Sequence, residues 1–294
     1  MKRNILLSIL VVFIFAVSSC ATMSPTSKTA KIALVLGAGS SKGFAHIGVL
    51  KVLEMNHIPI NMIVGTSVGS AVGSLYAYGY DAFQLQRISF SVGKGDIVDF
   101  IIPLPINGFI RGEKLEEFIN KTLNNTPMEK LKIPFYAVAT DIQNGQEVVF
   151  GSGNTGQAVR ASCSIPGIFR PVQIGDRMYV DGGVVSPIAV DAARRLGADI
   201  VIAVDISGGI DRTKPESTMA TIFQTFNIMY AKLSDIQLAR ADVVIRPKVD
   251  YIGSSDFSKR NEAILEGEKA AMEVLPQITQ IINRLKKKGR LESK

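Results

Sequence analysis

The chain contains no tryptophan, only two histidines and only two cysteines among its 294 residues. A mechanism built on a histidine cluster therefore starts without its parts, and two cysteines cannot frame a disulfide-stapled fold. Long hydrophobic runs are scarce as well. The one at the start, Ile5 to Val17, is shorter than the roughly 20 apolar residues a membrane-crossing helix needs. There is no internal repeat and no low-complexity tract. The net charge of +7 is confined to the ends. Lys2 and Arg3 supply two positive charges and the tail from Ile281 to Lys294 a net of five, which leaves residues 4–280 formally neutral. No stripe of Lys and Arg interleaved with aromatics remains, which argues against nucleic acid as a partner. What is present is ordinary: 47% apolar and 20% charged residues, in a chain long enough to bury one sizeable core.

The first twenty residues have a basic start, the apolar run and small residues before Cys20, the plan of a secretory signal. Val17-Ser18-Ser19-Cys20 resembles a bacterial lipobox, in which Cys20 is diacylated and becomes the first residue after cleavage. Two acyl chains would hold the protein at a membrane, since burial contributes about 0.8 kcal/mol per CH₂. Residues 21–30 then form a polar tether. Ala21, not Asp, follows the lipidated position, so the expected address is the periplasmic face of an outer membrane where a cell has two. With Cys20 lipidated, Cys163 has no disulfide partner.

From Lys31 the pattern alternates. Lys31 to Leu36 reads as a buried strand, followed by a Gly-rich loop and a helix from Phe44 to Met55. A second strand (Asn61 to Val64), a turn at Ser67 and a helix to Tyr78 follow. Further strands are expected over Pro134–Asp141, Glu147–Phe150, Arg177–Val180, Asp199–Asp205 and Asp242–Arg246. Helices are expected over Gly112–Leu123, Thr155–Ser162, Thr218–Arg240 and Phe257–Lys288, with another opening at Ser186-Pro187, Ser as N-cap and Pro at the first helical position. Such alternation predicts an α/β fold with a mainly parallel central sheet and helices on both faces. The apolar segment Ile97–Ile110, broken by Pro103 and Pro105, reads as a core-filling connection, with a loop-borne lid or interfacial patch as the other reading.

Gly65-Thr66-Ser67-Val68-Gly69 fits Gly-x-Ser-x-Gly, the spacing of a nucleophile on a sharp strand-to-helix turn, where side chains two positions either side would collide. Taken alone, the five residues are equally consistent with close helix packing. An α/β-hydrolase would supply a histidine downstream, but His46 and His57 both lie upstream of Ser67 and read as packing or capping residues. A carboxylate is the remaining base. Asp181 ends a strand before Gly182 and Gly183, although Asp-Gly-Gly also suits a simple turn.

The loop Gly37-Ala38-Gly39-Ser40-Ser41-Lys42-Gly43 follows a strand and opens a helix, the geometry of an anion cradle. Its Gly-x-Gly-x-x-x-Gly spacing departs from the dinucleotide fingerprint, and Lys42 precedes the last glycine instead of following it as in a P-loop. An oxyanion hole uses the same N–H geometry.

Taken in order, the blocks LGAGSSKGFAHIGVLKVLE, IVGTSVGSAVG, RASCSIPGIFRPV and VDGGVVSPIAVDAARRLGADIVIAVD resemble a bacterial patatin-like phospholipase, from Lys31 to about Pro247. The resemblance implies a lipid acyl hydrolase without metal or other cofactor. By it, Ser67 matches the nucleophile, Asp181 the base, and Gly39 and Ser40 the oxyanion-binding positions. Gly37, Ser41, Lys42, Gly43, Gly65, Gly69, Gly182 and Gly183 complete the motifs. Ala38 and Ser40 interrupt the run of glycines common in relatives, and Lys42 stands where many have Arg. The expected layout is a lipoprotein signal over 1–20, a tether over 21–30, a catalytic domain over 31–250 and a helical extension with a basic tail over 251–294. The substrate implied is phospholipid or lysophospholipid. Two other readings remain: a phosphate- or nucleotide-binding protein using the Gly-rich loop, and a catalytically silent envelope scaffold.

Overall fold

The computed structural model describes residues 28–97, 99, 110–207, 214–253 and 256–291. The signal segment with Cys20, most of the tether, and nearly all of the apolar segment 97–110 lie outside them. Among the described residues eight strands form one sheet: β1 (Ile32–Leu36), β2 (Met62–Thr66), β3 (Phe135–Asp141), β4 (Glu147–Phe150), β5 (Val172–Ile174), β6 (Arg177–Asp181), β7 (Ile200–Val204) and β8 (Val243–Ile245). The α-helices among them are α1 (Phe44–Met55), α2 (Val68–Tyr78), α3 (Ala82–Ser91), the one-turn α4 (Lys94–Ile97), α5 (Glu113–Thr122), α6 (Thr155–Ser162), α7 (Val190–Arg195), α8 (Thr218–Leu238) and α9 (Arg260–Lys287).

The sheet runs β5-β6-β3-β2-β1-β7-β8, with β4 also on β3. From β3 to β8 every pairing is parallel; β4, β5 and β6 add antiparallel pairs at the other end. All five residues of β1 are fully buried, as befits a central strand covered on both faces. Ile32, Leu34 and Leu36 face a layer that includes α1, α2 and α9, while Ala33 and Val35 face α7 and the end of α8. Each large apolar side chain so buried contributes about 1.5–3 kcal/mol. The long helix α9 belongs to this same core. A Cβ on Gly48 would lie 1.9 Å from the Ile264 carbonyl oxygen, and one on Gly267 2.0 Å from that of Ala45, so α1 and α9 touch backbone to backbone.

Register explains how two distant segments meet. Ala137 and Val138 of β3 pair with both β4 and β2, and Ala139 and Thr140 pair with both β4 and β6. Thus β4 takes one edge of β3, while β2 and β6 share the other in succession. Since β2 runs parallel to β3 and β6 antiparallel, their C-terminal ends point at each other, Thr66 opposite Val138 and Asp181 opposite Ala139.

One expectation is corrected. No helix opens at Ser186-Pro187; α7 begins at Val190. The Ser186 and Pro187 carbonyls accept hydrogen bonds from Thr66 Oγ1 (3.0 Å) and Ala38 N–H (2.9 Å), so this backbone is committed to tertiary contacts. Helix α3 was not anticipated, although Asp81 and Gln84 form a capping box at its start.

Candidate active site

Ser67 occupies the single residue between β2 and α2, with φ 54° and ψ −127°. A positive φ on a residue with a Cβ costs about 1–3 kcal/mol and persists only where the surroundings hold it. They do so here. The Ser67 N–H donates to Ser162 Oγ at 2.9 Å, and its carbonyl accepts from Ser70 N (2.8 Å) and Ser70 Oγ (2.6 Å). The flanking glycines are required by contact: a Cβ would come within 2.5 Å of Ser70 Cα from Gly65 and within 2.1 Å of the Leu36 carbonyl oxygen from Gly69. Of the two readings of Gly65–Gly69, the turn is therefore present. It sets Ser67 at the N-terminus of an 11-residue helix, where the helix dipole favours negative charge.

Asp181 closes β6 and is fully buried. Ser67 Oγ donates to its Oδ2 at 2.6 Å, and the Gly183 N–H donates to its Oδ1 at 2.7 Å. Its own backbone is pinned too, N–H to the Ser164 carbonyl and carbonyl from Thr140 Oγ1. Burial raises the Asp181 carboxyl from 3.8 to about 6, against the lowering effect of Ser67, the Gly183 N–H and the Tyr230 hydroxyl. Gly182 lies against β3, where a Cβ would meet the Val138 carbonyl oxygen at 2.2 Å. Neighbouring Cys163 stays a thiol, because burial and then the Asp181 charge push its pKa up.

The Gly-rich loop is held from several sides. Gly37 N–H donates to Val204 O and Ser41 Oγ to Gly253 O. Lys42, 4% exposed, donates from Nζ to the Ser207 carbonyl at 2.8 Å. Gly43 abuts the start of α2, since a Cβ there would lie 2.2 Å from Val68 Cγ2. His46 is fully buried, its Nε2 2.9 Å from the Gly37 carbonyl, so that nitrogen carries the proton. Burial lowers its pKa to about 4 and keeps it neutral. His46 thus packs and braces the loop, as its upstream position suggested. Among the described residues, the N–H groups of Gly39 and Ser40 have no acceptor.

Ser40, Ser41 and Ser67 line a cavity of about 400 Å³ that runs between α2, α3 and α5, past Val72, Leu85 and Phe118. Apart from these serines, Ser89 and Cys163, its described lining is apolar or glycine, and none of it is charged. A larger open groove of about 810 Å³ along α9, beside Met272, Pro276 and Lys287, touches none of the candidate site residues. No cluster of metal-ligating side chains occurs among the described residues.

Three contributors escaped the sequence. Ser162 lies within the block RASCSIPGIFRPV but carried no assigned role; it accepts from Ser67 and donates to the Val138 carbonyl at 2.6 Å. Thr140 and Tyr230 gave no local signal at all.

Residues 34–194 match the family described as Patatin-like phospholipase. Curated relatives include lysophospholipase NTE1 of Phaeosphaeria nodorum, 30% identical over 84% of this chain and 18% of that protein. Lysophospholipase nte1 of Aspergillus fumigatus is 32% identical over 79% of this chain and 17% of that protein. The chain therefore spans under a fifth of these fungal relatives. Among solved structures, VipD from Legionella pneumophila aligns over 85% of this chain and 67% of that one, with 13% identity and a TM-score of 0.47. The elbow, the Gly-rich loop and Asp181 all fall within the matched segment, which covers more than half of the sequence, and the chain belongs to the patatin-like phospholipase family.

Proposed function

We propose that the protein hydrolyses ester-linked acyl chains of phospholipid or lysophospholipid. The observation that carries this reading is the 2.6 Å hydrogen bond from Ser67 Oγ to Asp181 Oδ2 at the wall of an apolar cavity. Ser67 Oγ attacks the ester carbonyl carbon while its proton passes to Asp181. The Gly39 and Ser40 N–H groups, with the N-terminus of α2, stabilise the oxyanion. Collapse breaks the bond to the alcohol, which takes the proton from Asp181 and leaves an acyl-Ser67. Water then attacks that ester, giving a proton to Asp181, and the fatty acid departs as Ser67 regains its hydrogen. The uncharged cavity takes the acyl chain.

The phosphate-cradle alternative is weakened by Lys42, which is buried and hydrogen-bonded to Ser207, and by the lack of cations in the described cavity lining. The reading extends to an acyl anchor on Cys20 that places the enzyme at a membrane surface, the periplasmic face of an outer membrane where there are two. The described residues contain no helix long and apolar enough to cross a bilayer.

The test is covalent labelling of full-length protein with a fluorophosphonate, read by peptide mapping, beside release of fatty acid from lysophosphatidylcholine. Labelling on Ser67, with turnover lost in Ser67→Ala and Asp181→Ala, supports the reading. Folded protein that neither labels nor turns over substrate would move it to a catalytically silent scaffold.

A further inference from the structure

Tyr230, on α8, is 5% exposed, and its hydroxyl has no hydrogen-bond partner of normal geometry among the described residues. A buried phenol usually finds one, so this position calls for a reason. The ring lies directly on Gly183: a Cβ there would come within 2.3 Å of Tyr230 Cζ and 2.5 Å of its hydroxyl oxygen. Gly183 is the residue whose N–H grips Asp181 Oδ1. Two turns further on the helix is fastened to the segment that follows Gly183, because Gln237 Nε2 donates to the Val185 carbonyl and Gln237 Oε1 accepts from the Ile188 N–H. Asp181 has acceptor capacity left. Ser67 occupies Oδ2 and Gly183 Oδ1 with one bond each, whereas an ionised carboxylate offers about four lone-pair directions.

We propose that Tyr230 is a positioning residue of the Ser67–Asp181 pair, its phenol serving as a third donor to the Asp181 carboxylate and holding it toward Ser67. The electrostatics agree. The Tyr230 hydroxyl lowers the Asp181 pKa, and burial together with the Asp181 charge pushes the phenol's own pKa well up, so it remains a neutral donor. Cys163 is the other titratable group facing both residues, and its thiol stays protonated. The role rests on the proposed dyad for its kinetic consequence but not for its direct readout.

That readout is the carboxyl titration of Asp181, followed by infrared difference spectroscopy in full-length protein and assigned by the band lost in Asp181→Asn. Tyr230→Phe keeps the ring and removes the donor. It should raise the Asp181 pKa by about one unit, a tenfold change in protonation. The acid limb of kcat/KM should move up with it, so that the loss of rate is large at low pH and small at high pH. Fluorotyrosine at position 230, a stronger donor of the same shape, should shift the titration the other way. An unmoved carboxyl titration in either folded variant overturns the proposal, as does a rate loss that is equal at every pH. A shifted titration with an unshifted rate profile sustains the contact and instead counts against Asp181 as the base.

Discussion

Gly69 and Leu36 are packed so closely that a Cβ on the glycine would stand 2.1 Å from the Leu36 carbonyl oxygen. The contact ties the first turn of α2 to the end of β1, where the Gly-rich loop starts, and so sets the distance between Ser67 and the loop N–H groups proposed as oxyanion donors. Neither backbone can yield cheaply. Gly69→Ala is expected to lower stability by about 1–3 kcal/mol and to reduce kcat more than it raises KM. Gly95→Ala, where an added Cβ meets nothing within 4 Å, should change stability by less than about 0.5 kcal/mol. Urea denaturation of the two variants checks the stabilities, and steady-state kinetics of Gly69→Ala check the split between kcat and KM.

The proposed role of Asp181 as base ties rate to pH. With its carboxyl at about 6, protonation below that value would remove the proposed base, so kcat/KM should fall about tenfold per unit on the acid side. Ester hydrolysis measured from pH 4 to 9 tests this. A limb near the ordinary carboxylate value would contradict the burial argument.

The same raised value carries a stability cost of opposite sense. The folded state holds the Asp181 proton more tightly than the unfolded one, so this residue's contribution is fully present below pH 3.8 and is lost as pH rises through about 6. Asp181→Asn should therefore be inactive yet more stable than the parent at pH 7.5, by about 1–2 kcal/mol once its lost acceptor is discounted. At pH 4 the gain should vanish. Thermal or urea melts at the two pH values decide it.

Ser162→Ala strands two backbone groups, the Ser67 N–H and the Val138 carbonyl. It should cost about 1–3 kcal/mol and slow acylation, because the φ 54° turn loses a restraint. The exposed Ser91→Ala, whose hydroxyl bonds only within its own helix, is the control and should stay within about 0.5 kcal/mol.

Val72→Phe narrows the apolar cavity beside Ser67. Each methylene kept out forfeits about 0.8 kcal/mol, so excluding two should lower kcat/KM for long-chain esters about tenfold. Acetyl esters should be unaffected. A p-nitrophenyl ester series reads the crossover, and equal losses at all chain lengths would speak against this cavity as the acyl site.

Much of the fold was legible in the chain. The fully buried β1 reads as a continuous apolar run, α1 and α2 carry helical periodicity, and the glycines around Ser67 have the spacing a sharp turn demands. The antiparallel part was harder. Val172–Ile174 is three residues long and, among the described residues, pairs only with its neighbour in sequence, too little for periodicity to register. Ser186-Pro187 carried a good helix-start signal, but local propensity lost to the hydrogen bonds its carbonyls make with Thr66 and Ala38. Tyr230 looked like any apolar residue of a long helix. Its meaning lies in what it faces.

By itself, then, the sequence determined most of the elements and the two glycine-bracketed turns, because backbone sterics and side-chain periodicity act over a few residues. Only the tertiary structure decided that Ser67 and Asp181, 114 positions apart, share a 2.6 Å hydrogen bond. The reason is register. β2 and β6 meet end to end along one edge of β3, and a shift of one residue on that strand would turn the carboxylate to the opposite face of the sheet.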